Sequence, residues 1–276
     1  MRGASHGGVG DGPERRGLGS TALAALGCLA ILAGPAAAQQ PPADTAAGAD
    51  TLPPGRRVGD LTVTVTRSRA RLDETPHAVS IVDAGSAASM ERRTSLAEAL
   101  RTVPGVQVSD RRNFSLGDRV VVRGIGSRAQ FGVRGVKVIV DGIPLTLPDG
   151  QTTLTNLDLG SAARIEVLRG AASALYGNAS GGVIRVRSGG FADRAVAPSV
   201  RLTAGQDGFR SEAVEGSGRV AGWDWLLRAR HLETDGWRRH SAAETWRANL
   251  VARRPLGGGG ELRAVVNAFD MPFGEN

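Results

Sequence analysis

Residues 164–187, RIEVLRGAASALYGNASGGVIRVR, constrain the fold more than any other stretch of this chain. Two strand-like pieces, 164–169 and 182–187, flank a link of small residues that contains Gly170, Gly177, Gly181 and Gly182. Glycine at this density marks backbone that runs close to other backbone or takes positive φ. The stretch holds no acid–base pair, metal cluster or activated nucleophile, so it reads as a rigid structural module and not as a catalytic loop.

The N-terminus has to be set aside before a fold is assigned. Arg15 and Arg16 precede an apolar run, 18–32, and Pro35-Ala36-Ala37-Ala38-Gln39 offers an A-x-A cleavage site before Gln39. That is the pattern of a secretory signal peptide over residues 1–38. The apolar run falls short of the roughly 20 residues of a spanning helix. Cys28 sits inside it, and the apolar continuation 29–32 argues against lipoprotein cleavage at that cysteine. With the leader removed, no cysteine is left for disulfide or thiol chemistry. An exported chain of this kind depends on a core, an oligomer or a membrane for stability. The formal net charge is +7. The arginines are scattered among acidic residues and form no block of five, so the concentrated footprint of a nucleic-acid binder is missing.

Residues 39–59 are rich in Pro, Ala and Asp and read as a flexible linker. Next comes Asp60-Leu61-Thr62-Val63-Thr64-Val65-Thr66, a β-branched run suited to serve as an added strand. Over 67–192 short strands alternate with short helices. Residues 75–82 read as a strand, with Asp83 as N-cap of a helix over 84–90. Ser95-Leu96-Ala97-Glu98 is a capping box, and Leu96, Ala99, Leu100 and Val103 form one apolar helix face that Pro104-Gly105 ends. Residues 119–123 and 136–140 are apolar strands, the second turned by Asp141-Gly142. From 193 to 276 the pattern becomes two-faced. Trp223, Trp225, Leu227 and Ala229 oppose Asp224, Arg228 and Arg230; Trp246, Ala248, Leu250 and Ala252 oppose Arg247, Asn249 and Arg253. Charges recurring on one face suit strands with lipid outside and a wet interior, although a soluble sandwich shares the alternation. Residues 216–222 and 255–260 read as short turns and 233–241 as a longer loop.

Catalytic chemistry finds little support. Residues 120–129, VVVRGIGSRA, mimic a dinucleotide-binding G-x-G-x-x-A turn. The helix that must follow to hold a pyrophosphate does not fit in 127–135, which Gly132 and Gly135 break. His77, His231 and His240 have no metal-ligand spacing. Ser180 lacks the G-x-S-x-G surround of a nucleophile elbow. No enzyme activity and no cofactor are expected. Arg123, Glu166 and Arg169 lie in strand contexts expected to be buried, where a charge needs a partner; a self-contained ion pair is one way to supply it.

The 164–187 segment closely resembles the end of the plug domain of TonB-dependent outer-membrane receptors, with Ala171 in place of the usual Pro. SLAEALRTVPGVQV, VVVRGIG and VKVIVDGIPL match the same plug pattern in the same order, so the resemblance covers about 60–189. It implies an α+β plug domain, a small mixed sheet with short helices, followed by the start of an antiparallel transmembrane β-barrel. Plugged barrels of this kind have about 22 strands, so a chain ending after roughly five is expected to be truncated before closure. The resemblance further implies that Asp60, Leu61, Thr62, Val63, Thr64, Val65 and Thr66 form a TonB box, which pairs with the energy-coupling protein TonB by strand addition. Arg123, Glu166 and Arg169 become plug–barrel locking residues, the two arginines facing barrel carboxylates expected beyond Asn276. Substrate contacts map to Arg111, Arg112, Asn113, Phe114, Arg128, Gln130, Phe131, Asp149 and Gln151 on outward plug loops. The implied activity is uptake of a ferric siderophore or similar scarce nutrient across the outer membrane of a Gram-negative bacterium, with outer-membrane lipid as a further partner. A signalling transducer would need an additional domain before residue 60. A secreted binding module or adhesin would lack the box and the lipid-facing strands.

Overall fold

The structure, a computed structural model, describes residues 61–84, 92–112, 114, 117–130 and 132–274. The expected signal peptide, the linker, Asp60 and most of the helix expected over 84–90 lie outside these residues. The strands of the N-terminal module are β1 (Thr62–Val63), β2 (Ala70–Arg71), β3 (Ala78–Asp83), β4 (Val106–Ser109), β5 (Arg119–Val122), β6 (Val133–Arg134), β7 (Val136–Val140), β8 (Ile143–Pro144), β9 (Gln151–Thr152), β10 (Ala162–Arg169) and β11 (Gly182–Ser188). Five longer strands follow: β12 (Ala197–Ala204), β13 (Arg210–Val220), β14 (Trp223–Thr234), β15 (Ala243–Pro255) and β16 (Glu261–Gly274).

The module is built on a mixed sheet in the order β3-β10-β11-β7-β8. The hairpin β10–β11 is antiparallel, whereas β11 runs parallel to β7. Both faces of the sheet are covered. Ile165, Val167, Ile184, Val186, Val136 and Val138 point to one core, which the helix Leu96–Leu100 closes with Leu96, Ala99 and Leu100. That helix starts at Ser95 with its capping box in place. Leu168, Val183 and Ile139 point to the opposite face and pack with Val65, Ala172 and Ala179. Strand β10 is therefore buried on both sides, as its apolar run anticipates. Gly182 opens β11 at φ +144°, where a Cβ would sit 2.2 Å from the Leu168 carbonyl oxygen. Only glycine allows the two strands to approach there.

Several boundaries differ from expectation. The strand expected from 75 begins at Ala78, because Pro76 has no N–H and pairing with β10 starts at Arg169↔Ala78. Asp83 closes that strand opposite Arg164. The strand expected over 119–123 ends at Val122, since Arg123 turns off at φ 48°. Asp141 and Gly142, at φ 49° and 90°, make the expected tight turn.

Strands β12 to β16 form one antiparallel sheet in sequence order. The turn expected over 216–222 is only Ala221-Gly222; Gly216 and Gly218 remain in β13. Their missing side chains leave room for the Trp225 ring and for the Ala195 carbonyl. Cross-strand registers set Val214, Ala229, Ala248 and Ala268 in one row and Leu227, Leu250 and Val266 in another. Both rows lie on the side away from the module, and Leu227 and Val266 are exposed. On the opposite side Leu226, Arg228, Arg230 and Leu232 are buried, and Arg228 and Arg230 reach the module. Two-faced strands thus carry polar groups inward and apolar groups outward, as membrane barrel strands do. His231 and Trp246 stack at 4.0 Å on the outward side near one end of the sheet, and Trp223 lies near the other.

Candidate functional site

Residues 61–66 are docked on the module and do not form a free strand. Val63 and Val65 are fully buried, and β1 pairs with β2. Glu166, fully buried in the middle of β10, accepts hydrogen bonds through Oε2 from the Thr64 and Val65 amides at 2.9 and 2.8 Å. The Thr64 hydroxyl also reaches this carboxylate. Carbonyl oxygens are held in parallel: Arg164 donates to Thr62, Arg185 Nη1 to Thr64 at 2.7 Å, and the Tyr176 hydroxyl to Val65 at 2.7 Å. Arg164 Nε lies 3.0 Å from Glu166 Oε1. A buried carboxylate is tolerable when its oxygens are used in this way. The result is a clasp in which one face of the central sheet holds the backbone of the segment.

The three loops expected to contact substrate converge. Arg111 Nη2 donates to the Gln130 carbonyl at 3.0 Å, and β6–β9 pairs Arg134 with Gln151. Asp149 accepts from the Gln151 amide at 2.9 Å. Arg112, Arg128, Gln130, Asp149 and Gln151 are exposed. Asn113 and Phe131 lie outside the described residues. Arg112 and Phe114 also line a cleft between the module and the loops of β12–β13 and β14–β15, with Arg92, Phe209, Trp237 and Asp118 across it. The Arg92 guanidinium lies over the Phe209 ring at 5.7 Å, and Ser95 Oγ donates to Asp118 Oδ2 at 2.5 Å. Burial outweighs that bond and pushes the Asp118 carboxyl up to about 6.

Of the residues expected to lock the plug, Glu166 is buried as expected. Arg123 is exposed, not buried. Arg169 Nη1 donates to the Pro104 carbonyl at 2.8 Å, and the Arg123 amide donates to Gly105 at 2.9 Å. Both tie the module to itself. Glu166 serves the clasp. Among the described residues, contacts between the module and the long sheet have the reverse polarity, with cations on the sheet. Arg228 Nε lies 3.6 Å from Asp158, Arg263 Nη1 lies 3.0 Å from Asp141, and Arg247 Nη1 donates to the Leu157 carbonyl at 2.6 Å. Arg230 Nη1 donates to the Arg93 backbone carbonyl at 3.0 Å, and Asn249 Nδ2 to Ser161 Oγ at 2.9 Å. Gly160 makes room for the Arg228 guanidinium, which a Cβ at that position would meet at 2.2 Å. The inward alternation of these residues was visible in the sequence; Asp141 was marked only as a turn residue, and the partners at 157–161 had no motif to mark them.

A mixed sheet closed by a glycine-rich hairpin clasps its own N-terminal strand and is backed by two-faced antiparallel strands that resemble the start of a barrel wall. Residues 71–183 match the family described as TonB-dependent Receptor Plug Domain. The chain is similar to a hemin receptor of Yersinia enterocolitica, 35% identical over 131 residues, covering 47% of this chain and 18% of that protein. It is also similar to the vitamin B12 transporter BtuB of Photobacterium profundum, 32% identical over 146 residues, covering 51% and 22%. The chain thus spans about a fifth of the length of these relatives. The pyoverdine outer membrane receptor FpvA of Pseudomonas aeruginosa shares the fold, with a TM-score of 0.62 at 20% identity over 76% of this chain and 30% of that one. These relatives are receptors and transporters, not enzymes. Among the described residues no group of three or more His, Asp and Glu side chains is set to hold a metal ion.

Proposed function

We propose that this chain carries the plug and first wall strands of an outer-membrane receptor that takes up a scarce nutrient, a ferric siderophore or a related chelate, with TonB pulling on residues 60–66. The observation that carries the reading is the Glu166 clasp. It ties the segment that TonB would seize to β10, an inner strand of the plug sheet, so tension on the segment acts first on the plug core. The outward apolar rows of β13 to β16 support a lipid-facing wall. Trp223 and His231 are eight residues apart on β14, about 27 Å along a strand and about 20 Å in height at the usual tilt, comparable with the apolar band of about 25 Å. Arg111, Arg112, Arg128 and the other loop residues supply donors that suit carboxylates on a chelate. The plug is locked to the wall through Arg228, Arg247 and Arg263 as well as any contact made by Arg123 and Arg169.

In the full-length receptor, Val63→Pro is expected to abolish energy-dependent uptake and leave surface binding intact, because proline cannot donate to an added strand. Val63→Ala keeps the N–H and retains uptake. Undiminished uptake in the proline variant would sink the assignment of the box.

A further inference from the structure

Three aromatic side chains, Phe114, Phe209 and Trp237, line one cleft between the module and the loops that follow β12 and β14. Aromatic residues make up only 4% of the chain, so three in one place is a concentration. Phe209 is 7% exposed and lies deep with Leu154, whereas Trp237 is 57% exposed and belongs to no core. The walls are held in place. The Thr155 hydroxyl donates to the Phe114 carbonyl at 3.2 Å. The loop that carries Trp237 is closed by Ser241, whose hydroxyl donates to the Arg238 carbonyl at 2.7 Å and accepts from the Arg238 amide at 3.2 Å. Gly236, at φ +76°, lets the chain turn there; a Cβ would meet the Ser241 carbonyl oxygen at 2.4 Å. A preorganised aromatic wall has little ordering left to lose when a ligand binds.

The partners of the charged groups give the sign of the occupant. Arg92, Arg112, Arg247, Asp110, Asp118 and Asp207 line the same cleft. Asp110 accepts from the Arg112 amide at 2.8 Å and lies 3.9 Å from Arg92. Asp118 accepts from the Ser95 hydroxyl; burial first, then Asp110 and Glu98 as like charges, lets it keep its proton up to about pH 6. Asp207 is exposed. Two of the arginines have donors to spare. Arg112 is exposed, and its guanidinium makes no hydrogen bond or ion pair among the described residues. Arg247 gives Nη1 to the Leu157 carbonyl, and its buried Nε has no partner. An acid group answers such donors, whereas a cation would find a free carboxylate only at the exposed Asp207. The cleft encloses about 70 Å³, under half of the roughly 150 Å³ that takes in a whole benzene. One ring can enter by its edge and rest against Trp237; a bulkier group cannot.

We propose that this cleft binds a single-ring aromatic acid, with the ring against Phe114 and Trp237 and the acid group on Arg112. The cleft lies beside the plug loops already assigned to substrate and shares Arg112 and Phe114 with them, so it narrows the class of cargo to one that carries such a group. That use rests on the receptor reading; the binding itself does not.

The test uses the purified full-length receptor in detergent, without TonB or cargo, titrated with salicylate and with cyclohexanecarboxylate, a saturated acid of similar size, and read by ligand-observed NMR. At about pH 5, where Asp118 keeps its proton, salicylate is expected to bind at least about threefold more tightly than the saturated acid. Arg112→Gln and Trp237→Ala change exposed side chains, and each is expected to weaken salicylate at least about threefold. Ionising Asp118 adds a negative charge beside the site, so affinity is expected to fall in the wild type as the pH is raised to about 7.5 and to hold level in Asp118→Asn. No salicylate binding to the wild type, equal affinity in the wild type and both exposed-residue variants, or cyclohexanecarboxylate bound as tightly as salicylate overturns the proposal. None of these outcomes bears on the uptake assay of the box, which judges the receptor reading separately.

Discussion

Asp118, partly buried, and Glu166, fully buried, use their carboxylates in different ways. Asp118 accepts hydrogen bonds from the Ser95 hydroxyl and the Leu96 amide, and feels Asp110 and Glu98 as like charges. It releases its proton near pH 6 instead of the ordinary 3.8. Between those values the folded chain retains a proton that the unfolded chain has lost, so this group lowers stability as pH rises from about 4 to about 6 and keeps it lowered above that. Asp118→Asn still accepts the Ser95 hydroxyl. It is expected to raise stability at pH 7 by about 1–3 kcal/mol and to change it little near pH 4. Urea unfolding at the two pH values checks this; an equal gain at both would contradict it. Glu166 instead accepts two amides and faces Arg164, so its removal orphans buried donors. Glu166→Ala is expected to speed hydrogen exchange at the Thr64 and Val65 amides by at least about tenfold, read by mass spectrometry of the 61–72 segment. Exchange as slow as in the wild type would show that the clasp does not depend on this carboxylate. Nothing in the sequence alone revealed the partner of Glu166, because its contact spans about a hundred positions and involves backbone, not a motif.

Secondary-structure elements were more legible than their contacts. The capping box at Ser95, the apolar face Leu96–Val103 and the Asp141-Gly142 turn are local, and local rules place them. Boundaries that depend on pairing were not. The end of β5 at Val122 and the start of β3 at Ala78 follow from register with neighbouring strands. Gly216 looked like part of a turn because its reason for being small is the Trp225 ring lying over it from the next strand. Gly182 was legible as a close approach, and the structure supplies the partner, the Leu168 carbonyl. Gly182→Ala is expected to destabilise the folded protein by more than about 2 kcal/mol. Gly257→Ala, in an open turn with nothing within 4 Å of the added carbon, is expected to stay within about 0.5 kcal/mol. Chemical unfolding of both variants separates the two; similar losses would mean that the β10–β11 approach is not the constraint.

At the scale of the whole molecule, plug and wall meet through polar contacts, with arginines of β14, β15 and β16 reaching carbonyls and carboxylates of the plug. A seam of that kind can part without exposing a continuous apolar core, as the proposed uptake role would require. The inward alternation of these arginines could be read from the strands. Their attachment to 157–161 and to Asp141 could not, because it requires the three-dimensional placement of one unit on the other. The central claim is that residues 60–66 are the handle by which TonB acts and that Glu166 holds this handle down. The most direct measurement is capture of the full-length receptor by the periplasmic domain of TonB, compared for wild type, Glu166→Ala and Val63→Pro. Stronger capture of Glu166→Ala than of wild type, with none of Val63→Pro, is the expected result. Equal capture of all three, or capture that survives the proline, would contradict the account.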